Sequence, residues 1–263
     1  MLRREGEIPS FDAIIERPSP NFGARAGAAE GGGPVDILLL HYTGMATAEA
    51  ALEHLCDPAA KVSSHYLIDE EGRCYRLVAE GKRAQHAGVS SWAGASDINS
   101  RSIGIELVNP GHELGYRDFP EAQIARLERL ARDILTRHPI PKSRVLAHSD
   151  VAPLRKQDPG ERFPWARLAR SGIGLWPQGD ARPVAGGEAL RSGMAGEAVS
   201  SLQQALAAYG YGIGASAHYD ALTVAVVTAF QRHFRQRLVD GIADAECQRL
   251  MERLLAARAA GTP

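Results

Sequence analysis

Residues 35–56 read VDILLLHYTGMATAEAALEHLC, and they contain both periodicities from which the chain is assembled. Val35-Asp36-Ile37-Leu38-Leu39-Leu40 is a short apolar run preceded by turn residues, which predicts a buried strand ending at His41. Behind it, Ala50, Ala51, Leu52 and Leu55 fall on one face of a helix. Thr47 is suited to cap that helix, because its hydroxyl can accept from an open N–H of the first turn.

The same two patterns alternate further along. Ser64–Ile68 and Cys74–Val78 are strand-like runs joined by Asp69-Glu70-Glu71-Gly72, which has the chemistry of a hairpin turn. Ser102–Val108 predicts a further strand, and Val145-Leu146-Ala147 a short one leading into His148. Between Pro120 and His138, residues Ile124, Leu127, Leu130, Ala131 and Ile134 recur at helical spacing with charges opposite them. Strands and helices interleaved in this way predict an α/β class, a mixed central sheet flanked by helices.

Periodicity is lost around Gln178–Pro183 and Gly186-Gly187, so a linker is expected at 177–187, dividing a first domain at 1–176 from a second at 188–263. The second part has helical stretches near 196–209, 220–236 and 243–258 separated by Gly-rich turns, which predicts a small all-α three-helix domain. Its core is expected from Leu202, Leu206, Val224, Val227, Phe230, Phe234 and Leu250.

Composition excludes several classes of function. Of the 263 residues, 44% are hydrophobic and 23% charged, enough apolar material for a sizeable core. A net charge of -1 provides no basic field to draw the chain onto nucleic acid or an anionic membrane. No uncharged apolar stretch approaches the roughly 20 residues that span a bilayer. In MLRREGEIPSFDAIIERPSP, Glu5, Glu7 and Pro9 interrupt the residues after Arg3 and Arg4 before an apolar run can form, so no signal peptide is read and a cytoplasmic setting is expected. Cys56, Cys74 and Cys247 are odd in number and lack CxxC spacing, which fits free thiols.

His41 and His148 each follow an apolar strand, and Asp158 comes one loop later in HSDVAPLRKQDPG at 148–160. Two neutral imidazoles and a carboxylate suit zinc and leave a fourth position for water. Spacing alone equally allows two separately satisfied core histidines and an aspartate that caps the turn before Pro159 and Gly160. His54, His65, His112, His138, His218 and His233 complete no second ligand set, so one metal site is expected.

LLLHYTG at 38–44, VSSHYLIDEEG at 62–72, QHAG at 85–88, SIGIELVN at 102–109 and HSDVAPLRKQDPG at 148–160 occur in an order that resembles the zinc-dependent N-acetylmuramoyl-L-alanine amidases of the amidase-2 type. The resemblance covers roughly residues 17–165 and includes the cell-wall-recycling and phage-lysozyme-like members. It implies Zn2+ held by His41, His148 and Asp158, with Glu106 as general acid/base and Lys156 stabilising an oxyanion. The implied reaction is hydrolysis of the amide between N-acetylmuramic acid and L-alanine, with zinc-bound water as nucleophile. A non-catalytic receptor on the same scaffold would lack a zinc ligand, and none is missing here.

Tyr66, His86, Asn109 and Arg155 lie within the matched motifs and are expected to line the groove against sugar or peptide. A packing role stands beside that one for Tyr66 and His86, whereas the Arg155 guanidinium is suited to clamp a carboxylate bidentately. Farther on, GMAGEAVSSLQQALAAYGYGI at 193–213, YDALTVAVVTAFQRHF at 219–234 and VDGIADAECQRLMERLL at 239–255 resemble a three-helix peptidoglycan-binding domain. Tyr209, Tyr211 and Tyr219 in it either stack on sugar or pack helix ends. The implied partners are peptidoglycan or muropeptides, anhydro forms included. A polymer-binding module raises local concentration on the wall, which sets a periplasmic or wall-associated location against the cytoplasmic one.

Overall fold

A computed structural model describes residues 13–27, 33–177 and 188–260. In chain order it contains β1 (Ile14–Glu16), β2 (Phe22–Gly23), β3 (Ile37–Tyr42), α1 (Ala48–Cys56), β4 (Tyr66–Ile68), β5 (Cys74–Arg76) and β6 (Arg83–Ala84). Next come α2 (Ile98–Arg101), β7 (Ser102–Leu107), α3 (Gly111–Leu114), α4 (Glu121–Arg137), β8 (Val145–Ala147), α5 (His148–Val151) and α6 (Trp165–Arg170). The C-terminal part consists of α7 (Glu197–Tyr209), α8 (Ala221–Phe234) and α9 (Ala245–Ala260). The expected linker at 177–187 lies, apart from Pro177, outside the described residues.

Six strands form a mixed sheet in the order β1-β5-β4-β7-β3-β8. The expected hairpin is its antiparallel element, β4 against β5, while β4, β7, β3 and β8 run parallel. The apolar run at 37–40 is accounted for by this position: β3 is flanked by β7 and β8 and covered on both faces. The strand includes His41, as expected, and runs one residue past it to Tyr42. Thr47 caps α1 as expected, its Oγ1 accepting from the Ala50 N–H at 3.2 Å.

Period-two alternation divides the sheet into two faces with different surroundings. Leu38, Leu40, Tyr66, Ile68, Ile103, Ile105, Leu107, Val145 and Ala147 pack against Ile124, Leu127, Leu130, Ala131 and Ile134 of α4 and Trp165 and Leu168 of α6. On the opposite face, Leu67 packs with Ala51, Leu52 and Leu55 of α1. Ile37, Leu39 and Leu146 join a cluster that continues into Val199, Leu206, Val226, Val227, Phe230 and Phe234 of the C-terminal helices. Leu202 belongs to that cluster too, with Val224 and Leu250 packed against it partly buried.

Tyr209, Tyr211 and Tyr219 are buried and serve packing, so the sugar-stacking alternative for them falls. Trp92 of the sheet-bearing part meets Tyr209 and Tyr211 edge-on, and the Tyr219 hydroxyl donates to Gly241 O at 2.8 Å. Among the described residues no helix is long and apolar enough to cross a membrane. The three cysteines are unpaired.

Candidate metal centre

The register brings the site together. In adjacent parallel strands His41 of β3 lies opposite Glu106 of β7, so both side chains project from the same face. Leu40 pairs with Ala147, which places His148 at the end of β8 beside His41. The loop after α5 returns Asp158 to them, helped by the Ser149 N–H donating to Asp158 O at 3.0 Å.

His41 Nδ1 and His148 Nδ1 are 3.0 Å apart, and Asp158 Oδ2 lies 3.1 Å from the first and 3.0 Å from the second. All three residues are buried. Their tautomers follow from the neighbouring acceptors. The Ser102 hydroxyl donates to Ile98 O at 2.7 Å, so toward His86 it accepts, from Nε2–H at 3.3 Å. Neutral His86 then has a bare Nδ1, which accepts from His41 Nε2–H at 3.0 Å. His148 Nε2 faces Ala87 O at 3.0 Å, and a carbonyl only accepts. Both Nδ1 atoms are therefore bare lone pairs, converging with a carboxylate oxygen on one point.

Three acceptors without a proton between them call for a cation. Their separations are close to the roughly 3.3 Å expected between ligands of a tetrahedral ion with bonds of about 2.0–2.1 Å. Two imidazoles and one carboxylate make the donor set that zinc favours, and these residues fit the ion.

Electrostatics agree with a built site. Burial, with the neighbouring His148 imidazole, pushes His41 down to about 4, so it is neutral and ligand-competent near pH 7. Burial also lowers His86, with the nearby His41 adding to it, which keeps its ring neutral. For Asp158, burial works upward but is outweighed by His148 and His41, which hold its carboxyl below the usual range. Glu106 goes the other way: burial raises its pKa well above the ordinary value, the Asp158 charge adds to this, and Lys156 opposes it. Its Oε2 is buried without a hydrogen-bond partner, an atom left for something in the groove.

A groove of about 340 Å³ opens over these residues, walled by Ala51, His54 and Leu55 of α1 on one side and by Pro110–Glu113 and 155–157 elsewhere. Lys156 and Arg155 line it. Arg155 is already anchored, its guanidinium donating to Val89 O at 2.6 Å and Ala87 O at 3.1 Å. His86 reaches the groove but acts on His41.

Two expected groove residues are not among its walls. Tyr66 pairs with Ile105, one position from the Leu67 that faces Glu106, so alternation turns it to the α4 side. There it is 2% exposed and donates to Glu80 Oε1 at 2.7 Å. Asn109 is 1% exposed and folds its own loop, accepting from Gly111 N–H at 3.0 Å and donating to Arg117 O at 2.8 Å.

The supports from Ala87 O and Ser102 have no counterpart among the residues expected from sequence. A signal for the His86 contact exists in Gly104, a glycine inside a strand, which marks close approach by another group. A Cβ there would meet the His86 ring at 2.6 Å.

Comparison with known proteins gives this geometry a family. A sequence model of N-acetylmuramoyl-L-alanine amidase matches residues 31–161, and one of a peptidoglycan binding domain matches residues 195–251. N-acetylmuramoyl-L-alanine amidase AmiD of Escherichia coli (strain K12) is 39% identical over 258 residues, 92% of this chain and 90% of that one. The 1,6-anhydro-N-acetylmuramyl-L-alanine amidase AmpD of Haemophilus influenzae is 39% identical over 112 residues, 42% of this chain and 59% of its own length.

Among solved structures, the complex of Escherichia coli AmiD with anhydro-N-acetylmuramic acid-L-Ala-D-gamma-Glu-L-Lys has a TM-score of 0.72 at 35% identity, covering 90% of this chain and 98% of that one. AmpDh3 from Pseudomonas aeruginosa with anhydromuramic pentapeptide has a TM-score of 0.71 at 32% identity, covering 86% and 93%. With 39% identity sustained over 92% of its length, this chain belongs to the N-acetylmuramoyl-L-alanine amidases and ends in a domain of the peptidoglycan-binding kind.

Proposed function

We propose that the protein hydrolyses the amide joining the lactyl group of N-acetylmuramic acid to L-alanine, with zinc held by His41 Nδ1, His148 Nδ1 and Asp158 Oδ2. The observation that carries this reading is the convergence of two proton-free imidazole nitrogens and a carboxylate beside the unpartnered oxygen of Glu106. When bound, the ion supplies Lewis-acid polarisation of the carbonyl and acidification of water.

Glu106 accepts the proton of the attacking water and returns it to the departing amine, which leaves poorly as an anion. Its raised pKa suits both halves of that transfer. The Lys156 ammonium faces the groove, where negative charge develops on the carbonyl oxygen. His86 and Ala87 hold the two imidazoles in the tautomers that leave Nδ1 free. Arg155, with its guanidinium at the rim, is the candidate for a stem-peptide carboxylate.

The relatives solved with anhydro-muropeptides support such fragments as substrate, and the C-terminal domain supports the polymer as a second one. The division into a catalytic part at 1–176 and a wall-binding part at 188–263 belongs to the same proposal. Purified muropeptides incubated with the zinc-supplemented protein should yield free stem peptide and intact glycan by mass spectrometry. Binding without cleavage would replace the enzyme by a receptor. Cell fractionation separates a cytoplasmic setting, suited to recycled fragments, from a wall-associated one, suited to the polymer.

A further inference from the structure

The segment from His148 to Phe163 carries two of the three metal-ligand candidates, and the C-terminal helices grip it along its length. Asp150, two residues after His148, is 1% exposed. Its Oδ2 accepts from the Ala147 N–H at 2.8 Å, closing the first turn of α5, the helix that begins with His148. The other donors to this carboxylate come from the C-terminal part. Tyr211 Oη donates to Oδ1 at 2.8 Å, and His233 Nδ1 to Oδ2 at 2.7 Å.

Farther along, Arg232 Nη2 donates to Oε1 of Gln157, the residue before Asp158, at 3.1 Å. Gln236 Nε2 donates to Glu161 O at 2.7 Å and Phe163 O at 2.6 Å. Arg232, His233 and Gln236 thus form one patch at the end of α8, with the His233 ring stacked 3.7 Å from that of Trp165. Immediately before Tyr211 in the chain, Gly210 O accepts from the Ala93 N–H at 2.7 Å, and Trp92 occupies the space a Cβ on Gly210 would fill.

We propose that Tyr211 and the end of α8 are positioning elements of the metal centre. By holding Asp150 and the 148–163 segment they aim His148 and Asp158, so metal affinity depends on the docking of the wall-binding domain. The inference rests on reading His41, His148 and Asp158 as the metal site. A buried carboxylate stripped of two of its three donors does not stay in place; it turns toward other partners or water and draws the first turn of α5 with it. Metal bonds tolerate only about 0.2 Å of displacement, so a small shift of His148 is felt at the ion. A domain serving only to raise local concentration on the polymer would leave metal affinity untouched by its own side chains.

The test uses the full chain. Zinc affinity is measured by competition with a chromophoric chelator, and ligand geometry by the visible spectrum of the cobalt-loaded protein. The double variant Tyr211→Phe/His233→Ala is expected to bind zinc about tenfold more weakly, within the range typical for loss of supporting partners, and to show an altered cobalt spectrum. His233→Asn, whose side-chain amide can replace the Nδ1–H donor, should retain near-normal affinity. Tyr219→Phe, which loses a hydrogen bond confined to the C-terminal part, should leave both readouts unchanged.

If the double variant proves insoluble, Tyr211→Phe alone, a single oxygen removed, is expected to lose affinity several-fold. Unchanged affinity and spectrum in soluble Tyr211→Phe/His233→Ala, or in Tyr211→Phe where the double variant is insoluble, would overturn the proposal. So would an equal loss in Tyr219→Phe, which would reduce the effect to general destabilisation. A wild-type chain that binds neither zinc nor cobalt would instead sink the metal-site reading on which the proposal stands.

Discussion

The two faces of the central sheet are drawn from the same strands and differ by an offset of one residue. On one face Leu40, Ile105 and Tyr66 close against α4 and α6 in a dry cluster. On the other, His41 and Glu106, their immediate neighbours in sequence, stand under an open groove with a buried oxygen left unpartnered. The first face lowers the free energy of the folded chain by burying apolar surface. On the second face Glu106 works against it, because this carboxyl is held where its charge is poorly solvated. Parity along the strands thus keeps one face wholly for packing, while the other packs at Leu39, Leu67 and Leu146 and opens to the groove at His41 and Glu106.

Glu106→Gln tests that separation most severely. Amidase activity is expected to fall by about 10²–10⁴-fold, the usual contribution of a general acid/base, while the metal-free chain becomes no less stable. The sign follows from the pKa. The folded value of Glu106 lies above its unfolded value, so the group is best tolerated at low pH, and stability is lost as pH rises toward the folded pKa. Denaturation of the two chains across pH should show the glutamine variant gaining relative stability as pH rises. A variant destabilised at every pH would break the contrast.

Leu127→Ala, on α4 beneath the apolar face, should cost about 2–5 kcal/mol in denaturant unfolding. Its turnover at temperatures well below melting should remain within about twofold of the original, and a collapse in turnover would mean that the two faces are not separable. Gly104→Ala probes the site face through its scaffold. The added methyl displaces the His86 ring, and zinc affinity by chelator competition is expected to fall about tenfold through the misoriented His41. Tyr66→Phe should have the smallest effect, about 1 kcal/mol of stability for the lost bond to Glu80, with no change in muropeptide cleavage. A tenfold loss of activity there would return Tyr66 to the groove.

The ordered motifs make His41, His148, Asp158, Glu106 and Lys156 legible in the sequence, because each is read from a short string whose neighbours come with it. Strand parity is harder. VSSHYLIDEEG does not state which of Tyr66 and Leu67 faces Glu106; that depends on pairing with β7, a contact made across the sheet. β2 and β6 are not legible because two residues carry no period, and in β1 the apolar pair Ile14-Ile15 is cut off at once by Glu16 and Arg17. The burial of Tyr209 and Tyr211 depends on Trp92, far away in the chain, and nothing local to the tyrosines announces it.

The apolar cluster that joins Leu39, Leu146 and Val151 to Val226, Phe230 and Phe234 has a thermodynamic corollary. Two halves that share one dry interior cannot melt independently, since exposing either uncovers the other. Heating should therefore give a single calorimetric peak with matching van't Hoff and calorimetric enthalpies, where a loosely tethered module would give two. Such cooperativity would make the C-terminal helices part of the amidase's folding unit, retained or lost with the sheet they cover.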